Sequence, residues 1–346
     1  MSSQPQAMID AQNESIDLDF ADVNAQSEAA WAFAQGRPTA CGTIRQHHDD
    51  FLVSEILGFE PSGDGEHVFL EVEKRGVNTG WLASQLARHC GIRTRDVGYA
   101  GRKDRHATTR QWFSCWLPGR EDPDWSALQI EGTTILRSLR HTQKLKRGRH
   151  LGNGFELRVR DVPQATLPDC DARCRRLREE GFPNYFGEQR FGLSLGNLKR
   201  ANLLLQATVE VDTGTDSGTD SGASMRREER GLAISAARAL MFNRAVSDQV
   251  DRCWHDIGER DEAWLPGSYR YDDNPCEHQF GLIPDWFEGL KRLGVKAMRR
   301  PIKVVPHHLD WEIGQDSVML RFELPRGTYA TSLLRELFDY RVAVAS

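Results

Sequence analysis

Residues 98–114 read GYAGRKDRHATTRQWFS. The segment opens on a short apolar run, Val97–Ala100, and turns at Gly101. It then continues into RQWFSCWL (110–117), an aromatic-rich stretch with the character of a buried strand. Strand, glycine turn, strand is the pattern, and the turn carries one carboxylate, Asp104. Its chain neighbours Arg102, Lys103, Arg105 and His106 are all basic. Opposite charges nearby favour the charged form of a carboxylate. Such a group can act as a nucleophile or an electrostatic stabiliser, in a setting that attracts a polyanion such as RNA. A plain capping turn is the competing reading of the same residues. The GK[ST] ending of a phosphate-binding P-loop is missing, which argues against nucleotide hydrolysis.

Outward from this stretch the periodicities alternate. DFLVSEI (50–56) and HVFLEVEK (67–74) read as strands separated by a PSGDG turn. NTGWLASQLARHCG (78–91) reads as a helix with Trp81, Leu82 and Leu86 on one face, capped by Asn78 or Thr79 and stopped by Gly91. TTILRSLRHTQKL (133–145) and GFELRVRDV (154–162) are further strands, and a helix is expected at about 170–180. From about 181 to 300 the pattern is mainly helical, with helices at 197–211 and from Glu229 to about Cys253. The TGTDSGTDSG repeat between them reads as a flexible loop. Strands return at 302–324, and ATSLLRELFDY (330–340) closes the chain as a helix. Sheet, helices, sheet implies an α+β fold interrupted by a mostly helical insertion.

The chain has 346 residues, 39% of them hydrophobic and 27% charged, as in ordinary water-soluble domains. No apolar run approaches the ~20 residues of a membrane-spanning helix. The N-terminus lacks the basic and hydrophobic regions of a secretory signal. Residues 1–30 are polar and acidic and read as a disordered tail. Seven scattered cysteines, an odd number, point to a reducing cytoplasm rather than a disulfide framework. The net charge of −5 hides a polarity: residues 1–66 hold two Lys/Arg against twelve Asp/Glu, and residues 88–160 hold sixteen against seven. A basic segment around Asp104 fits a localised polyanion site, although solvated faces can also carry such runs.

Three other clusters invite chemistry. In KLKRGRHLGNGFELRVR (144–160), Lys144, Lys146, Arg147 and Arg149 are close enough to contact successive phosphates. Asn153 can pair with a uracil edge, and Phe155 can stack on a base or sit in the core. GFPNYFGEQRFG (181–192) is either a cleft-lining crossing or a compact loop. In LPRGTYATSLLREL (324–337), Tyr329 is either a cleft residue near Asp104 or core. Cys253, His255, Cys276 and His278 form two C-x-H pairs that are tighter than usual zinc spacing, so no metal site is expected.

Together, GYAGRKDRHATTRQWFS, GNGFELRVR, FPNYFGEQRFG, ISAARALMFNRAVS (234–247) and LPRGTYATSLLREL resemble the tRNA pseudouridine synthase D (TruD) family, in order, from about Asp50 to Leu337. The resemblance implies a pseudouridine synthase core with a mainly antiparallel sheet, here 31–179 and 304–346, interrupted by a TRUD domain at 180–303. It implies isomerisation of uridine to pseudouridine in tRNA, at position 13 of the D-arm in bacterial relatives, by a monomer without cofactor or metal. Asp104 falls on the family's catalytic Asp, and Phe51, Asn153 and Tyr329 fall on residues that contact the target base. Phe155 is a further stacking candidate, and Lys103 and Arg105 would hold Asp104 ionised or contact phosphate. Tyr329 stands where relatives commonly carry Phe, and Arg102 where a Leu is frequent. The alternative is an RNA-binding protein or chaperone that uses the same basic cleft without turnover, with a zinc enzyme on the two C-x-H pairs as a third reading.

Overall fold

The computed structural model describes residues 31–105, 107–213, 225–268 and 284–343. His106, Cys276, His278, the N-terminal tail and the centre of the TGTDSG repeat lie outside them. The chain divides into two compact units. One is built from Ala34–Tyr185, His255–Glu262 and the segment from Pro301 onward; the other is built mainly from Phe186–Trp254 and Ala263–Arg300.

The first unit begins with β1 (Cys41–Ile44), β2 (Phe51–Ile56), β3 (His67–Lys74), α1 (Thr79–Cys90), β4 (Val97–Tyr99) and β5 (Thr108–Trp116). It goes on with β6 (Thr133–His141), β7 (Gly152–Val159), α2 (Leu167–Glu180) and β8 (Phe182–Pro183). From 186 the chain is mainly helical: α3 (Gly196–Thr213), α4 (Arg227–Cys253) and α5 (Pro284–Arg292), with a ribbon of β9 (Glu262–Leu265) and β10 (Met298–Pro301). The end of the chain forms β11 (Lys303–Val304), β12 (His307–Ile313), β13 (Val318–Pro325), α6 (Ala330–Leu337) and β14 (Asp339–Val342). Among the described residues no helix is long and apolar enough to cross a membrane.

An eight-stranded sheet in the order β12-β13-β7-β2-β5-β3-β6, with β4 also on β5, organises the first unit. Its pairings are antiparallel except β2 against β5, which run parallel. The fold is α+β with a mainly antiparallel sheet. One half of the sheet is covered by α1, whose buried stripe is Thr79, Leu82, Ala83, Leu86, Ala87 and Cys90. That spacing is one face of a 3.6-residue helix, and each buried Leu contributes roughly 1.5–3 kcal/mol. Trp81 is not on that face and is 50% exposed. The Asn78 Oδ1 accepts the Gly80 and Trp81 amides at 2.9 and 3.2 Å, and Gly91 ends the helix at φ 61°. The other half of the sheet shares a core with residues of α2 and α6, including Leu157, Phe322, Leu177 and Leu333.

The closing helix stops at Leu337, earlier than its sequence pattern suggests. Asp339–Val342 instead pairs in parallel with Cys41–Ile44. Long-range strand pairing there overrides the local helical period. In the second unit, α4 buries a stripe that includes Ala233, Ala236, Ala237 and Leu240. Its buried Asn243 accepts the Phe186 amide and donates to the Phe186 carbonyl, at 2.8 and 2.9 Å.

Candidate active site

Alternation along β2 puts Phe51, Val53 and Glu55 on one buried face. Register then sets their neighbours: Glu55 lies opposite Asn153 on β7, and Asn153 lies opposite Leu324 on β13. The Asp104 loop joins β4 to β5 and enters β5 beside the start of β2, since Leu52 pairs with Thr108. The loop is pinned at almost every residue. The Gly148 amide donates to the Ala100 carbonyl at 2.8 Å, and the Gln111 side chain donates to Gly101 O. The Lys103 amide donates to Thr79 Oγ1 at 3.1 Å, and Arg105 Nε donates to Gly76 O at 2.9 Å. From below, the buried Lys74 ammonium donates to the carbonyls of Val77 and Asp104 at 3.0 and 3.2 Å.

Two ion pairs leave this loop in different directions. The Asp104 carboxylate, 32% exposed, meets the Arg45 guanidinium at 2.9 Å. Arg45 lies over the Phe51 ring, 4.4 Å from its centroid, and holds a left-handed backbone at φ 61°. That conformation is costly for a residue with a Cβ and marks a position fixed by its surroundings. Asp50, directly before Phe51, fixes the preceding loop by a bidentate pair with Arg160 and by accepting the His47 amide at 2.9 Å. Lys103 turns inward: its ammonium pairs with Glu55 at 3.2 Å and donates to Asn153 Oδ1. With that oxygen engaged, the Asn153 NH₂ is the donor left to face a ligand.

Burial shifts the titrating groups here. It pushes the Glu55 carboxyl up, with Lys103 and the Trp112 amide working against it. It pulls Lys74 down to about 8, with the Asp104 charge opposing and Lys103 reinforcing. It pulls His150 down to about 4, helped by the charges of Lys103 and Arg326, so this imidazole is neutral near pH 7.

Of the residues expected from sequence, Asp104, Phe51, Asn153 and Lys103 come together through Arg45 and Glu55. Two expectations need correction. Phe155 is not a stacking surface: its ring is buried against Phe322 at 5.2 Å, because β7 and β13 pair these residues directly. Lys103 is not a phosphate contact: its side chain is 8% exposed and is spent on Glu55 and Asn153. Arg105 is exposed and ties the loop to Gly76. Tyr329 precedes α6, in the turn that follows β13, and its carbonyl accepts the Ser332 amide at 3.1 Å. Cys253, one member of the C-x-H pairs, is exposed and donates its thiol to Gln249 O at 3.4 Å.

Arg45, Glu55 and Lys74 escaped the sequence reading, although two of them left a signal. A charged residue on the apolar phase of a strand, Glu55 in FLVSEI and Lys74 in HVFLEVEK, is rarely buried without a partner. Arg45 left none, since its place depends on a loop conformation.

The family model described as "tRNA pseudouridine synthase D (TruD)" matches residues 30–210 and 278–337. A tRNA pseudouridine synthase D of Hydrogenovibrio crunogenus is 35% identical over 92% of this chain and 99% of its own. One of Methylococcus capsulatus is 38% identical over 89% of this chain and 94% of its own. Among solved structures, a Methanosarcina mazei protein described as a candidate TruD superposes with a TM-score of 0.62. It covers 88% of this chain and 95% of its own at 19% identity, a likeness of fold. The family model and these relatives define an isomerase of the pseudouridine synthase class. The chain belongs to the tRNA pseudouridine synthase D (TruD) family.

Proposed function

We propose that the protein isomerises uridine to pseudouridine in tRNA, at position 13 of the D-arm, with Asp104 as the nucleophile. The sheet-bearing unit is the catalytic domain in this reading, and the helical unit is the TRUD insertion. The supporting observation is the Asp104 carboxylate, partly open and held at 2.9 Å by Arg45, in a loop that also anchors the Asn153 amide through Lys103.

The reacting bond of a stacked nucleotide is out of reach, so the base must flip out, at a cost of a few kcal/mol. Stacking on an aromatic ring returns about 1–3 kcal/mol per base; Tyr329 is the ring proposed for it, while the Phe51 ring, 4% exposed and covered by Arg45, would serve only once Arg45 moved aside. The Asn153 NH₂ donates to a uracil carbonyl. Asp104 attacks ribose C1′ or uracil C6, or assists cleavage of the glycosidic bond. The N1–C1′ bond breaks, the uracil turns and C1′ rejoins it at C5, any bond formed to Asp104 is released, and C5 loses a proton while N1 gains one. Atoms and electrons are conserved throughout, so the isomerisation calls for no redox partner.

The test uses tRNA tritiated at uracil C5, from which the final proton loss releases tritium. Wild type is expected to release it, and Asp104→Asn to lose at least about a thousandfold in rate, on the scale seen when a covalent nucleophile is removed. Full activity in Asp104→Asn removes the nucleophile assignment. Tight tRNA binding by wild type without tritium release from any tRNA turns the reading toward a non-catalytic RNA-binding protein.

A further inference from the structure

Beyond its Gly148 contact to the Asp104 loop, the basic segment 144–149 has a structural setting of its own. A groove of about 460 Å³ lies beside the site, lined by Tyr99, Arg95, Lys144, Lys146 and Arg147 along with residues of α1 such as Gly80. Four of its lining residues are cationic and none is acidic. None of those four cations makes an ion pair among the described residues. The nearest acid in sequence, Asp96, is turned to Arg93 at 3.3 Å.

The fold fixes this arrangement. Leu145 is buried, and its amide donates to Ser114 Oγ at 3.0 Å. The Lys144 ammonium donates to Arg95 O, and the Arg149 amide closes a turn onto Lys146 O at 3.1 Å. Gly98 makes the approach possible: a Cβ there would collide with the Leu145 carbonyl and with Ser114 Oγ. Lys146 and Arg147 therefore stand exposed on a pinned turn, and the Arg147 guanidinium lies over the Tyr99 ring at 5.7 Å. The volume is within the range of small-ligand sites. Cations beside an aromatic plane, with no acid, suit a nucleotide: phosphate on the cations and base on the ring.

We propose that this groove is a second RNA subsite, which holds one unstacked nucleotide of the substrate away from the reacting uridine. The proposal rests on the reading of the chain as a tRNA-modifying enzyme and extends it. Position supports it, since the groove and the nucleophile loop share one frame. Thr79 Oγ1 takes the Lys103 amide one residue before Gly80, and Ala100 O takes the Gly148 amide at the end of the basic turn. A nucleotide bound there would hold the RNA strand against the frame that carries Asp104.

The experiment measures binding of an unmodified tRNA transcript across a salt series, and steady-state tritium release in parallel. K146A/R147A is expected to weaken binding and to flatten the dependence of log Kd on log salt by about 0.7–0.9 per cation removed. KM should rise while kcat stays near wild type, because neither residue touches the reacting base. Tyr99→Leu is expected to weaken binding roughly tenfold at an unchanged salt slope, since stacking releases no counterion, whereas Tyr99→Phe keeps wild-type affinity. R175A/R176A removes two exposed cations from α2 and should leave the slope as it is. Wild-type affinity and slope in K146A/R147A would overturn the subsite, as would an equal loss in R175A/R176A. If wild type binds the transcript with the groove-dependent slope but releases no tritium, the isomerase reading fails and the subsite stands.

Discussion

Lys103 and Asp104 are neighbours in the chain, and each is half of an ion pair, yet the two pairs are built for different ends. Lys103 and Glu55 are 8% and 0% exposed, close at 3.2 Å, with Asn153 on the same ammonium. Asp104 and Arg45 are 32% and 16% exposed, and Arg45 lies over the Phe51 ring. A buried pair is held because separating it strands a charge in a poor solvent. A half-buried pair keeps part of its hydration, so a ligand can replace either partner at less cost than in the inner pair. The inner pair therefore reads as framework for Asn153, and the outer pair as the working end.

The sharpest way to break this contrast is Lys103→Met, which leaves the Glu55 carboxylate buried without its cation. A loss of about 3–5 kcal/mol in unfolding free energy is expected by denaturant titration, with most of it restored in the Lys103→Met/Glu55→Gln double variant. A loss under 1 kcal/mol would place the inner pair in the same class as the outer one.

A smaller effect concerns Lys74, which supports the Asp104 carbonyl from beneath. Its folded pKa, about 8, is below the 10.5 of an unperturbed lysine. Between those values the unfolded chain binds more protons, so this group makes stability rise with pH across that window. Unfolding free energies at pH 8 and 10.5 should differ between wild type and Lys74→Met by on the order of 1–3 kcal/mol in that direction. The same pH slope in both proteins would mean that Lys74 is solvated in the folded state.

The smallest stability change is expected at the outer pair. Arg45→Ala should shift unfolding by about 1 kcal/mol or less, while tritium release falls by more than tenfold. Stability and turnover are thus predicted to separate at Arg45 and to fail together at Lys103. Equal stability losses at the two cations would remove the distinction between the pairs.

Much of the framework was legible in the residues. The spans of β3 and α1, the Asn78 cap and the Gly91 stop all follow from local rules of period and turn chemistry. The position of Asp104 on a turn between two strands was legible for the same reason. Side-chain direction was not. Lys103 and Asp104 look equivalent in RKDRH, and only the register of Glu55 against Asn153 decides which of them turns inward. Register between strands a hundred residues apart leaves no local trace. The same holds for Phe155, whose ring is claimed by Phe322 of a strand near the end of the chain. Tyr340 reads as helix because its helical period continues, until β1 offers the backbone another partner.

The parallel pairing of β2 with β5 has a consequence for the order of folding. Parallel strands cannot meet through a tight turn, and here the connection contains β3, α1 and β4 before Thr108 returns to Leu52. Long-range closures of this kind are slow, because the loop entropy must be overcome before the contact forms. The Asp104 loop is the last piece of that connection, so it is set only when the crossover closes. On a growing chain β7 must then wait for residues 318–325 to cover its other edge. Until they arrive, Asn153 has one strand neighbour instead of two, and the setting of its side chain is among the last parts of the sheet the nascent protein completes.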